Sequence, residues 1–275
     1  LVLVPPGGRA TEPSGIRQKV GNHPTPGRDS LQATEALLAA IARTPAETEI
    51  LFLLSGGASA LLSQPRSGVS AAEKAAFTDR MLRAGAPIGL LNRARLRVSA
   101  VKGGRLAQAA FPRRITTLVL SDIPGGAAWE IGSGPTRQPP ELIWGEDLRP
   151  ELKRLLGEVV LPEAVAREMG PRPVPAGRTA VGGWFMVGDN ARARQAAARA
   201  ARRRGHPTRI SRYRLQGEAS QAAQAVLAQL QAQPKRVSCV VFGGETTVSM
   251  TKAGGLGGRS QELALAAVPG LSAGG

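Results

Sequence analysis

With 275 residues and 42% apolar content, the chain can build one large or two medium domains around a sizeable core, and it is too apolar to be disordered. No run approaches the ~18 apolar residues of a membrane-spanning helix, and the single Cys239 excludes an intramolecular disulfide and a Cys-rich zinc site. The net charge of +16 is carried mainly by arginine; with aromatics at 3% there are few stacking platforms for nucleic acid, so background composition is preferred over a nucleic-acid surface as its source.

In chain order, Leu1–Val4 is a short apolar run halted by Pro5-Pro6, without the pattern of a signal peptide. A chain opening on Leu is expected to be a processed product or a fragment. Residues 31–43 carry apolar positions at helical spacing, with Asp29 or Ser30 as the cap. Residues 49–54 form a continuous apolar strand. Ser70-Ala71-Ala72-Glu73 is a capping box that opens a helix to about Ala84, stopped by Gly85. Residues 116–120 form a second buried strand and 184–187 a third. Helices are expected over 190–204, ended by Gly205, and over 219–233. Residues 237–242 return as a strand, with Cys239 a small core side chain. Apolar strands separated by helices imply a parallel sheet covered on both faces. The Pro-rich stretch 170–177 is the best linker candidate, dividing the chain into domains 1–172 and 173–275.

Glycine-hinged loops stand where these strands end. Glycine lets the backbone approach a ligand closely and aim its N–H groups at it, and at a helix N-terminus this makes an anion site. Ser55-Gly56-Gly57-Ala58-Ser59 follows one strand and opens a short helix; it can hold a phosphate or carboxylate, or be a plain tight turn. Asn92 to Ser99, with Arg93, Arg95 and Arg97, reads as a solvated basic helix leading into Lys102-Gly103-Gly104-Arg105, where an ammonium beside flexible backbone suits an oxyanion. Asp122, at the carboxyl end of a strand, can hold Mg²⁺, take a proton from a hydroxyl, or cap a turn. Asp189-Asn190 opens a helix, and capping is the leading reading there; Gly217-Glu218 is similar. Gly243-Gly244-Glu245 follows the last strand, and Gly254–Gly258 precede Arg259, a bidentate clamp for phosphate or carboxylate. His23, held among prolines, reads as a turn residue near the site mouth.

These motifs resemble the glycerate 2-kinase family, whose carboxyl-terminal module is called MOFRL. The matching segments are Gly21–Pro26, Leu54–Leu62, Asn92–Arg105, Ser121–Gly125 with Gly132–Thr136, Val187–Asn190, Leu215–Ala219, Gly243–Val248 and Gly257–Ala266. They run in family order across nearly the whole chain. The resemblance implies an α/β architecture, with a Rossmann-like parallel-sheet domain followed by a second, MOFRL-type α/β domain and the active site in the cleft between them. It implies ATP-dependent phosphorylation of D-glycerate to 2-phosphoglycerate with Mg²⁺ in the cytoplasm, by a protein that binds no membrane; a homodimer is left open. It gives catalytic roles to Arg259, Asp122 and Lys102, and metal binding to Asp122 and Asp189. Substrate or nucleotide would meet Ser55, Gly56, Gly57, Ser59, Asn92, Arg95, Ser99, Asn190, Gly243, Gly244 and Glu245. Some relatives carry the label hydroxypyruvate reductase, but no Gly-x-Gly-x-x-Gly dinucleotide fingerprint is present. An inactive, binding-only relative is the other alternative. Counterparts of the family's amino-terminal Gly-Lys-Ala-Ala and carboxyl-terminal Thr-Asp-Gly segments are absent from this sequence. Gly126 and Ala127 replace further acids, Arg97 replaces a His and Ser260 an Asn.

Overall fold

The computed structural model describes residues 1–8, 15–23, 25–123, 127, 129–158, 160–234, 236–249 and 257–272. The motif residues Pro24, Pro124, Gly125, Gly126 and Gly254–Leu256 lie outside them. The elements run β1 (Val2–Val4), β2 (Gln18–Val20), α1 (Arg28–Arg43), β3 (Ile50–Leu54), α2 (Ala58–Leu61), α3 (Ala71–Arg83), α4 (Ile88–Arg97), α5 (Arg105–Ala110) and β4 (Ile115–Leu120). A short 3₁₀ turn over Ile131–Ser133 leads to α6 (Glu141–Gly145), α7 (Arg149–Leu156), α8 (Glu163–Glu168) and β5 (Val181–Gly188). Then follow α9 (Asn190–Arg203), β6 (Thr208–Leu215), α10 (Ala219–Gln231), β7 (Cys239–Gly244) and α11 (Arg259–Ser272).

The chain forms two compact units, Leu1–Val187 and Gly188–Gly275, in a two-domain α/β fold. In the first, β1 pairs with β2 in parallel, and β3, β4 and β5 form a sheet in that order, with β3 parallel to β4. In the second, β6 and β7 pair in parallel with a register shift between Ile210 and Arg214. The units divide later than the boundary expected at 172/173, because β5 joins the sheet of the first. The Pro-rich stretch is packed rather than a free linker: Pro175 O accepts from Gln108 Nε2 at 3.0 Å and from Gln138 Nε2 at 3.3 Å, and Arg172 N–H donates to Trp144 O.

Local signals account for most elements. The α3 capping box forms as expected, with Ser70 Oγ accepting from Glu73 N–H at 3.1 Å and Glu73 Oε2 from Ser70 N–H at 2.8 Å. The cap of α1 is a correction. Neither Asp29 nor Ser30 caps it, since both already lie inside the first turn. Asn22 does so from outside, its Oδ1 accepting the N–H groups of Asp29 (2.9 Å) and Ser30 (3.2 Å).

Helices α3, α4, α7 and α8 enclose a core of Phe77, Met81, Ala94, Val98, Leu148, Val165 and Met169, each worth about 1.5–3 kcal/mol for the larger side chains. A second cluster joins α1 and α5 to the sheet through Ile41, Leu106, Ala110 and Ile115. The sheet itself departs from expectation. Ile50, Phe52 and Leu54 point inward, but Leu51 and Leu53, which alternate with them, are 60% and 68% exposed. Leu120, Phe185 and Val187 are exposed too. The apolar runs predict burial on both faces, and among the described residues these alternate side chains are exposed.

Candidate active site

Two adjacent strands of the first unit deliver the loops that matter. After β3, Ser55 and Gly56 lead to Gly57, which caps α2 in the left-handed region (φ 78°). Helix α2 spans four residues, too short for an anion site at a helix terminus. What the glycines permit instead is close approach. A Cβ on Gly56 would land on the Asp122 carboxylate, and one on Gly57 would stand 3.3 Å from His23 Nε2. The loops after β3 and β4 therefore meet at Gly56, with His23 beside the next residue, Gly57.

Asp122 is exposed, and no hydrogen bond or ion pair holds its carboxylate among the described residues. The turn after β4 is made by Ser121, whose Oγ accepts from Ile123 N–H at 3.2 Å. The turn-capping alternative for Asp122 thus goes to its neighbour, and the carboxylate stays available.

Behind this surface lies a buried lysine. Lys102 is 1% exposed, and its Nζ donates to Ser59 O (2.8 Å) and Ser59 Oγ (2.9 Å). Ser59 Oγ also contacts Ser133 Oγ at 3.1 Å, and Ser133 adopts φ 63°, a strained conformation for a residue other than glycine. Burial pushes the Lys102 ammonium well below its ordinary pKa, and the nearby charges of Arg95 and Lys74 push the same way. Lys74, on α3, falls to about 8 by burial and then by Arg95; its Nζ donates to Ser63 Oγ at 2.9 Å. Arg95, lowered by burial, reaches Ser59 O at 3.5 Å. Sequence reasoning missed Lys74 and Ser133. The available signal for Lys74 was its place on the α3 stripe it shares with Phe77, Thr78 and Met81, all buried.

Other expected site residues have structural employment. The basic α4 segment is not a solvated face: Arg97 and Ser99 are fully buried and Arg105 nearly so. Arg97 donates to the carbonyls of Gly170 (2.8 Å), Ile143 (2.9 Å) and Glu146 (2.9 Å). Arg105 donates to Leu96 O and Ser99 O, satisfying the last turn of α4. Both guanidinium groups stack on Trp144, at 5.5 and 4.7 Å from its ring centroid. Burial lowers Arg105 to about 10. Ser99 Oγ accepts from Val101 N–H within its own turn. Asn92 sits half-buried on α4.

In the second unit, Asp189 caps α9, its Oδ1 accepting from Arg192 N–H at 2.7 Å. That is the capping role the sequence favoured over metal binding. Asn190 Oδ1 and the Arg194 stem fill the space where a Gly243 side chain would be, and a side chain on Gly244 would strike the Leu215 backbone. Just beyond β7, Glu245 forms an ion pair with Arg259 at the start of α11. The two glycine-rich motifs that carry Glu245 and Arg259 are thus brought together. Among the described residues there is no group of three or more His, Cys, Asp or Glu able to hold a metal.

Residues 1–167 match the family model described as "Domain of unknown function (DUF4147)". A protein from Agrobacterium vitis named for hydroxypyruvate reductase is 36% identical over 98% of this chain and 71% of its own. The D-glycerate 2-kinase of Thermotoga maritima is 32% identical over 89% of this chain and 58% of its own. The crystal structure of glycerate kinase from Thermotoga maritima superposes with a TM-score of 0.81 at 30% identity, covering 98% of this chain and 65% of that one. The chain therefore spans roughly six to seven tenths of the length of these relatives.

Proposed function

As the chain belongs to the DUF4147-type glycerate 2-kinase family, we propose that it transfers the γ-phosphoryl group of ATP to the 2-hydroxyl of D-glycerate in the cytoplasm. The hydroxyl oxygen forms the new bond to phosphorus, the bond from phosphorus to the ADP oxygen breaks, and the hydroxyl proton is released. The observation that carries this reading is the meeting of the two strand-end loops at Gly56, where an exposed, unpartnered Asp122 abuts a loop tied from behind to buried Lys102. Phosphoryl transfer asks a protein chiefly for positioning and for charge stabilisation, and such a loop offers both.

A kinase Mg²⁺ is commonly held by one or two carboxylates, with water and phosphate oxygens completing its shell. Asp122 alone suits that arrangement and would hold it; the ion supplies neutralisation of phosphate charge. Asp189, committed to its cap, is the weaker candidate. Arg259 is assigned to the transferring phosphoryl group, and Glu245 holds its guanidinium ready. Arg259→Ala is expected to lower turnover ~10²–10³-fold, the typical loss of one preorganised stabilising group, with the thermal melt unchanged.

The test is a coupled assay for 2-phosphoglycerate from D-glycerate, ATP and Mg²⁺, run beside NADH oxidation with hydroxypyruvate. Product formation supports the kinase. Nucleotide binding without product would replace it with a binding-only protein, and NADH consumption would replace it with a reductase.

A further inference from the structure

Between α1, α3, α4 and the Ser59 loop lies a cavity of about 250 Å³ into which Lys74, Arg95 and Lys102 all face. Its other walls are largely apolar, with Leu31, Pro65, Ala71 and Ala75 among them. We propose that this cavity is a binding site for a small organic carboxylate, whose acid group meets the three cations and whose short carbon chain lies along the apolar wall. The inference deepens the kinase reading and rests on it for the identity of the acid, D-glycerate; that an organic anion enters rests on the cavity alone.

Three cations around one cavity, with the exposed Arg28 a fourth in its lining, call for an anion. Among the described residues no carboxylate pairs with Lys74, Arg95 or Lys102, and their hydrogen bonds go only to hydroxyl and carbonyl oxygens of Ser59, Ser63 and Gln64. Buried charge without a counter-ion is costly, and it is relieved either by loss of the proton, the direction in which Lys74 and Lys102 are pushed, or by an opposite charge; Arg95, a guanidinium that keeps its proton, leaves only the second. Size selects among anions. The cavity is smaller than the ~300–1,000 Å³ that takes drug-sized ligands, so it suits a three- or four-carbon acid better than a whole nucleotide. The apolar wall selects further: a bare phosphate would leave it uncovered.

The experiment is calorimetric titration of the full chain, without nucleotide, using D-glycerate, inorganic phosphate and glycerol as separate probes. D-Glycerate is expected to bind, phosphate to bind more weakly and compete with it, and glycerol to give no heat. Lys74→Met should weaken D-glycerate at least tenfold while the melt of the free protein holds or rises. Ala75→Phe, which narrows the cavity and leaves every cation in place, should weaken it as well, so the test survives if one variant fails to fold. No D-glycerate binding, phosphate binding alone, or unchanged affinity in both variants would overturn the proposal. Binding without 2-phosphoglycerate formation would sink the kinase and leave the cavity standing. Product made by Lys74→Met at an unchanged KM would do the reverse.

Discussion

Arg95 and Arg97 stand two residues apart on α4 and have opposite fates. Two residues turn a helix by roughly 200°, so they leave from opposite sides. Arg97 goes to three backbone carbonyls and the Trp144 ring, in a region where Arg105 joins it. Arg95 goes to the cavity beside Lys74 and Lys102, with one long contact to Ser59 O. Both regions bury cations, and both lower their pKa values chiefly by burial. The difference is in what receives the donors. Around Trp144 carbonyls and the ring take most of the guanidinium capacity, although Arg97 Nε and Arg105 Nη2 stay unpartnered. Around the cavity there is open space. Burial of a charge therefore does not by itself mark a functional site, and the proposed anion site rests on burial beside unfilled volume.

The largest expected effect breaks the structural side. Trp144 is fully buried and serves two guanidinium groups. Trp144→Ala should cost about 3–5 kcal/mol, the range for removing a large aromatic from a core, read as a fall in the urea midpoint. A loss below about 1 kcal/mol would show that the carbonyl contacts alone hold the two arginines.

Opposite in sign and next in size is Lys74→Met. Replacing an unpaired buried cation by an apolar side chain of similar reach is neutral or stabilising, by up to about 1–4 kcal/mol. The free protein should melt higher and bind D-glycerate less. Destabilisation by this substitution would mean that the Ser63 hydrogen bond outweighs desolvation, and would move Lys74 to the structural class with Arg97.

Much of this contrast was out of reach of the sequence. Strand ends, glycine loops and the α3 capping box were legible because each is written in consecutive residues. For the run from Asn92 to Arg97 the bland alternative to a binding role is a solvated face, since alternating Arg on a helix usually is one; the partners that bury Arg97, Ile143, Glu146 and Gly170, lie far along the chain. The α1 cap failed for the same reason, Asn22 reaching Asp29 and Ser30 across a loop. Strand β6 was missed because Arg209, Arg212 and Arg214 interrupt its apolar positions and its register shifts beyond Ile210. At the candidate site, the sequence singles out the loops of Ser55–Ser59, Lys102 and Asp122, and the structure brings the Ser55–Ser59 loop against both Lys102 and Asp122, while Lys74 hides inside an ordinary amphipathic helix.

A third test follows the protons. Lys74 falls from 10.5 to about 8 in the folded chain, so between those values the unfolded chain binds more protons. The Lys74 contribution to the stability of the free protein should then rise with pH from about 8 toward 10.5, by at most about 1.4 kcal/mol per unit, with Lys102, also lowered, adding in the same direction; Lys74 gives no slope below that window. The charged groups facing Lys74 are Arg95 from α4, Lys102 from the loop before α5 and Arg28 from α1, all cations; none can reverse the sign. D-Glycerate affinity should fall above pH ~8, by up to tenfold per unit. Saturating D-glycerate, which holds the ammonium charged, should flatten the rise in stability. Denaturation midpoints at several pH values, with and without the acid, read both effects. Affinity that rises with pH would exclude Lys74 from anion binding.

The smallest expected effect comes from Arg93, on the same helix side as Arg97 but nearer solvent. It pairs with Glu146 at 2.6 Å and with Glu151 at 2.8 Å, and its side chain is 20% exposed. Partly exposed ion pairs are worth about 0–1 kcal/mol, and Met has nearly the helix propensity of Arg, so Arg93→Met should cost less than about 1 kcal/mol. It should leave D-glycerate affinity unchanged, because its charge is already matched by two carboxylates and points away from the cavity. Arg95→Met should do the opposite, weakening the acid with little effect on the melt. If Arg93→Met weakened binding as much as Arg95→Met, the anion would be responding to the summed field of the helix rather than to the side that Arg95 occupies.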